Sequence, residues 1–278
     1  MEKAVQFWTA FFYLCIMKEL LIRTVSGAVL VAVVIACVLF SPWSMVALTL
    51  LIVAVGTYET GRLQHIEDLS CLVIGELMAV GAFLDVVLWA LFRWPTLYAA
   101  FLFAMMPFLL ALFSKTYDFK SIAAFSFGSM VFLSLPCAMM VVMHLLFSPK
   151  MVLLLFALLW VNDTFAYLTG RLLGKHKLFE RISPGKTIEG SIGGLVFTLA
   201  GIIIFSRCVG WLSLKAAIGM GLIAVVFGTL GDLCESMLKR QAGVKDSGKL
   251  IPGHGGILDR FDSVLFAIPF VFVYLLFL

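Results

Sequence analysis

The chain has 278 residues, 63% hydrophobic and 13% charged, with a mean hydropathy of +1.11 and a formal net charge of +4. A soluble globular domain is about 25% charged and 45–50% apolar, so this composition excludes one and calls for a membrane as solvent. The six cysteines lie in apolar runs with no C-x-x-C pair, which predicts neither a disulfide framework nor a zinc site.

Strand alternation is absent, and a membrane span needs about 20 apolar residues, so the predicted elements are helices. Residues 4–17 are apolar between charges and carry no A-x-A cleavage signal, which predicts a retained N-terminal helix, interfacial or a short span. Spans follow at about 24–40, 44–58, 69–92, 96–113, 121–148, 151–172, 191–212, 214–238 and 260–278. The first two are short and joined by "SPW", as in a tight hairpin. The predicted fold is an all-α, polytopic helical bundle of about nine transmembrane helices. It divides into an N-terminal extension (1–23), N-terminal membrane helices (24–150) and a catalytic membrane region (151–278) with two loops on one face.

With this span count, the connections at 18–23, 59–68, 114–120, 171–190 and 239–260 share one side and hold 15 of the 20 Lys and Arg. The other side holds Arg93, Lys150, Arg207 and Lys215. The excess of positive charge places the first side in the cytoplasm. Ten of the 15 lie in two loops that are basic for chemical reasons; without them the count is five to four.

Those two loops carry the chemistry. In "GDLCESMLKR", Asp232, Glu235, Ser236, Lys239 and Arg240 form one helical stripe that begins inside an apolar span. Ionisable groups at that depth cost about 2.5–3.5 kcal/mol on insertion scales and are usually functional, though an Asp–Lys pair can simply hold helices together. In "VNDTFAYLTGRLLGK", Asn162 and Asp163 interrupt a span, and Tyr167, Gly170 and Arg171 follow on the same face. In "ISPGKTIEG", Ser183 and Pro184 read as an N-cap and first helical position. Lys186 and Thr187 then make a plausible anion site, but Glu180 stands where a P-loop needs glycine. In "IPGHGGILDRFD", Asp259 and Asp262 share the first turn of the last span, and the glycines allow a close ligand approach. Lys245, Lys249, His254 and Arg260 add positive charge and donors. Carboxylates on two helices ringed by cations suit Mg²⁺ and phosphate oxygens together, hence phosphoryl or nucleotidyl transfer.

Ser236 to Asp262, "SMLKRQAGVKDSGKLIPGHGGILDRFD", resembles the signature of the phosphatidate cytidylyltransferases, or CDP-diacylglycerol synthases, at every fixed position. "SPGKTIEG" and the Asn162–Asp163 pair also have counterparts there, so the resemblance covers roughly residues 160–262. It implies a nucleotidyltransferase making CDP-diacylglycerol and pyrophosphate from CTP and phosphatidate, with Mg²⁺ and with K⁺ as the second ion of a two-metal centre. It also implies a homodimer in the cell's inner membrane, a site facing the cytoplasm, and no nucleic-acid partner. Asp232 and Asp259 then bind metal, with Glu235 and Asp262 as neighbouring or alternative ligands. Lys239, Arg240, Lys245 and Arg260 hold phosphates, and Asp246 orients Lys245 or its loop. Asp163, Arg171, Ser183, Lys186, Thr187, Glu189 and Ser236 belong to the substrate site, and His254, Gly255 and Gly256 line the nucleotide. The same chemistry on another lipid, by a CDP-archaeol synthase or polyprenol kinase, is the nearest rival. An ion-coupled transporter is a distant one, because the polar groups crowd one face and no inverted repeat is visible.

Overall fold

The computed structural model describes residues 2–94, 97–113 and 119–278. Helix α1 (Glu2–Phe40) leads to α2 (Pro42–Leu63), α3 (Leu69–Phe92) and α4 (Leu97–Phe113). Helices α5 (Phe119–Ser129) and α6 (Leu135–Leu146) are joined by a π-helical segment, Met130–Ser134, into one long rod. Helix α7 (Pro149–Leu173) is followed by strands β1 (Lys177–Phe179) and β2 (Ser183–Thr187), then α8 (Ile188–Val209), α9 (Leu214–Gln241) and α10 (Leu258–Leu276). Among the described residues, seven helical stretches are long and apolar enough to cross a membrane. Every predicted span coincides with a helix and the all-α polytopic bundle stands, although seven stretches rather than about nine have the length and apolarity of a span among the described residues.

Three features differ from the sequence expectation. Residues 4–17 do not form a separate helix but continue the first span, because "KELLIR" at 18–23 contains good helix formers and no breaker. The rod at 119–146 is interrupted by the π-helical turn just ahead of Pro136, which lacks the N–H an α-helix needs; Ser134 Oγ there donates to Ala79 O at 2.8 Å. Residues 183–187 are a strand rather than a helix start: β1 and β2 pair antiparallel, with Lys177 opposite Thr187. Helix α8 begins four residues later than Ser183 suggested, capped by Thr187, whose side chain accepts from Gly190 N at 3.1 Å. The connection at 114–118, including Lys115, lies outside the described residues.

Leu155, Met140, Met143, Phe83, Ile52, Phe261 and Ile268 are buried between α2, α3, α6, α7 and α10, while Leu39, Leu77, Ile204 and Val226 face outward. In lipid, helices gain little from mutual apolar burial and rely on close packing through small residues. A Cβ on Gly190 would stand 2.7 Å from Ala166 O, and one on Gly194 2.5 Å from Asn162 Oδ1, so α7 and α8 meet backbone to backbone. Gly231 does the same for α9 and α10: its Cβ would lie 2.6 Å from Phe266 Cβ and 2.7 Å from Asp262 O. Gly231→Val should therefore destabilise the detergent-solubilised protein by about 1–3 kcal/mol, the usual cost of overpacking, read as a lowered Tm. An unchanged Tm would show that the α9–α10 contact has slack.

Candidate active site

The middle of α1, the C-terminal halves of α7 and α9 and the start of α10, with the β-hairpin and the 242–257 loop, line one cavity of about 760 Å³. Its deeper wall is apolar, from Leu30 and Val31 of α1, Phe156, Leu159 and Trp160 of α7, and Val264 of α10. Its outer end carries Asp163, Arg171, Ser183, Lys186, Thr187, Asp232, Ser236, Lys239, Arg240, Lys245, Asp246, His254, Asp259, Arg260 and Asp262. Most of the residues singled out from the sequence thus meet in one place, although they come from segments up to about 100 residues apart.

Two lysine–carboxylate links organise it. Lys186 Nζ, delivered by β2, lies 2.6 Å from Asp232 Oδ2, and Ser236 Oγ, one turn along α9, donates to Asp232 Oδ1 at 3.2 Å. Lys239 Nζ lies 2.6 Å from Asp259 Oδ1 and also pairs with Glu235. Asp259 Oδ2 accepts from Ser247 N at 2.8 Å, Ser247 Oγ at 3.0 Å and Gly256 N at 2.8 Å. Asp163 and Asp262 line the same cavity and both feel the charge of Asp232. Arg240 bridges the two loops, donating to Ile182 O at 3.3 Å and to Val244 O at 3.1 Å.

His254 Nδ1 lies 2.8 Å from Ser26 Oγ of α1, and Arg260 Nε donates to His254 O at 3.0 Å. Burial, then the neighbouring charges of Arg260 and Arg23, hold the His254 pKa below its ordinary value.

Four of these residues, or groups of residues, sit differently from the rest. Glu235 is fully buried behind Lys239, with which it pairs, and it does not line the cavity. Glu189 turns back to the hairpin: it accepts from Lys175 N at 3.1 Å and His176 N at 3.2 Å, and its Oε1 lies 2.6 Å from His176 Nδ1. Gly255 and Gly256 do not line the cavity either; a Cβ at Gly255 (φ +84°) would run into Asp259 Oδ2. Their lack of side chains makes room for the Asp259 and Glu59 carboxylates. Thr187 does reach the cavity, but its hydroxyl is engaged as a helix cap.

The sequence reading missed the contribution of the N-terminal helices: Gly27, Leu30 and Val31 form cavity wall, and Ser26 holds His254. Only the helical spacing of 27, 30 and 31 could have hinted at a shared face. Among the described residues no three His, Cys, Asp or Glu side chains form a ready-made metal cluster. The oxygen-only donor set of Asp232, Asp259 and Asp262 nevertheless suits a hard cation that completes its shell with phosphate oxygens and water.

With this geometry in view, three relatives are informative. Phosphatidate cytidylyltransferase of Staphylococcus haemolyticus (strain JCSC1435) is 50% identical over 126 residues, 45% of this chain and 48% of that protein. The enzyme of the same name from Staphylococcus aureus (strain COL) is 49% identical over 126 residues, with the same coverage. That of Staphylococcus epidermidis (strain ATCC 35984) is 46% identical over 132 residues, 46% of this chain and 49% of that protein. These alignments span about half the length of the curated relatives. The model of the cytidylyltransferase family matches far more, residues 21–278, and therefore takes in the helices that wall the cavity as well as the loops that fill it. The chain is a multi-span membrane protein that belongs to the cytidylyltransferase family.

Proposed function

We propose that this protein transfers the cytidylyl group of CTP to phosphatidate, forming CDP-diacylglycerol and releasing pyrophosphate. The observation that carries this reading is the two-sided cavity, whose apolar wall descends along α1 and α7 beneath a floor of paired lysines and carboxylates. A lipid phosphate at headgroup depth meets the charged end while its chains lie along the apolar one. The names of the bacterial relatives point to the same substrates.

An oxygen of the phosphatidate monoester attacks the α-phosphorus of CTP. A new P–O bond forms there, the bond to the oxygen bridging the β-phosphorus breaks, and that oxygen leaves with its electron pair as pyrophosphate. The nucleophile is already anionic, so no side chain has to remove a proton. The barrier is repulsion between two polyanions. Lys186, Lys239, Lys245 and Arg260 answer it, all lining the one cavity. Asp232 and Asp259 would hold Mg²⁺, with Asp262 beside them; when bound, it supplies charge neutralisation and alignment of phosphate oxygens. In the same reading the enzyme is a homodimer in the cytoplasmic membrane with both loops facing CTP. Purified protein with labelled CTP should make CDP-diacylglycerol from phosphatidate in a Mg²⁺-dependent way, and a clear preference for an archaeal ether lipid or a polyprenol would reassign the acceptor.

Asp232→Asn and Asp259→Asn should each lower turnover by at least about a hundredfold, about 2.7 kcal/mol of transition-state stabilisation, in protein that still inserts and folds. Lys186→Ala and Lys239→Ala should lower kcat/KM by at least about tenfold, about 1.4 kcal/mol. Lys120→Ala, exposed at the start of α5, should not. Equal losses in both lysine sets would mean that general charge, rather than a site, is being measured.

Sidedness is testable without turnover. In a background lacking the six native cysteines, cysteines replacing Lys249 and His176 should react with a membrane-impermeant thiol reagent only when the cytoplasmic face is exposed. Both positions are exposed in the loops that meet at the cavity. A cysteine replacing the exposed Trp94, at the far end of α3, should show the opposite pattern. Labelling of 249 and 176 from opposite faces would contradict the single-cavity arrangement.

A further inference from the structure

A carboxylate that the mechanism above does not use stands directly behind it. Glu59, near the C-terminal end of α2, is only 4% exposed, and its partners lie far along the chain. Its Oε1 accepts from Ile257 N at 3.0 Å, and its Oε2 from Leu258 N at 2.9 Å. These are the first backbone donors of α10, a helix whose own N-cap, Ile257, provides no side-chain cap. Glu59 therefore acts as the missing cap from another helix, and its charge suits the positive end of the α10 dipole.

The same carboxylate reaches the catalytic loop. Ser247 Oγ lies 2.9 Å from Glu59 Oε2 and 3.0 Å from Asp259 Oδ2, while Ser247 N donates to Asp259 Oδ2. One serine thus stands between the two carboxylates, and its single hydroxyl proton serves one of them at a time. The loop glycines fit this role. A Cβ at Gly248 or at Gly256 would collide with the Glu59 carboxylate. The loop comes this close to α2 only because both positions lack side chains.

We propose that Glu59 is a positioning residue for the reaction: it docks the 247–258 segment and the first turn of α10 onto α2, and through Ser247 it sets where Asp259 stands. The kinetic half of this inference rests on the cytidylyltransferase reading; the structural half does not. A carboxylate that merely stabilised the bundle would lower global stability without changing the loop selectively.

The test compares the full-length wild type, Glu59→Gln, Ser247→Ala and the double variant in detergent micelles. It uses steady-state kinetics with CTP and phosphatidate, and hydrogen–deuterium exchange over residues 247–258. Gln keeps the size of Glu59 but loses the charge and turns an NH₂ donor toward groups that are themselves donors. Glu59→Gln should lower kcat at least tenfold, change KM for CTP by less than threefold, and speed exchange in 247–258 at least tenfold, leaving α6 and α7 as protected as before. Ser247→Ala should give a smaller loss, and the double variant should lose no more than Glu59→Gln alone, because the two residues act in one chain of contacts. Wild-type kcat in Glu59→Gln, unchanged loop exchange, additive losses, or exchange that rises equally in α6 and α7 would each overturn the proposal. If Glu59→Gln yields no folded protein, Ser247→Ala decides alone, and unchanged turnover with unchanged protection sinks the idea. If the wild type itself turns over no CTP with phosphatidate, the functional reading fails. Loop exchange then still decides whether Glu59 holds the segment.

Discussion

Asp259 is the point where the chain's distant parts are tied together. Its carboxylate takes Lys239 from α9 on one oxygen, and Ser247 and Gly256 from the loop on the other. A charge at this depth is tolerated only with partners, since an uncompensated one costs several kcal/mol. The need to satisfy Asp259 therefore folds the 242–257 loop back over the start of α10. Lys239 is in turn divided between Asp259 and the buried Glu235, which fixes the rotation of α9 relative to α10. Gly231, two turns before Lys239 on α9, lets the two helices approach closely enough for those bonds to form.

The β-hairpin solves a different problem. Lys186 has to reach Asp232 from a segment that follows α7, and a helix starting at Ser183 would carry the lysine within its first turn. A short strand places it instead at the cavity mouth, 2.6 Å from Asp232. Glu189, on the first turn of α8, holds the backbone of Lys175 and His176 and so anchors the other end of the hairpin. Pro184 is compatible with this strand because a two-stranded ribbon consists only of edges.

The helices were legible because each is a long apolar run, and in a membrane such a run has one stable backbone conformation. The cavity was largely legible because carboxylates and cations recur at helical spacing on α9 and α10. The hairpin was not: strands of three and five residues with mixed polarity carry no usable alternation. Its sequence also offers two cap residues, Ser183 and Thr187, and only packing decides that Thr187 starts the helix. Glu59 left no local trace at all. It is a single acidic residue at the end of an apolar run, and Ser247, which donates to its carboxylate, is 188 residues away. Ser26 and Gly27 escaped notice for the same reason, since their significance lies in what His254 touches.

The charges in the cavity are closely matched as they stand. Arg171, Lys186, Lys239, Arg240, Lys245 and Arg260 face Asp163, Asp232, Asp246, Asp259 and Asp262. Two of those lysines are already bound to carboxylates. A polyanion that draws Lys186 toward itself leaves Asp232 without its counter-charge, close to Asp163 and Asp262. Asp232 is about a third exposed, so water screens part of that imbalance, while moving Lys239 across to it would uncover the more deeply buried Asp259. A hard cation bound by carboxylate and phosphate oxygens together removes both difficulties, because it replaces the lysine at Asp232 and binds the anion that displaced it. In the reading proposed above, the lysine–carboxylate pairs would thus couple metal and nucleotide, each easing the charge imbalance that the other creates.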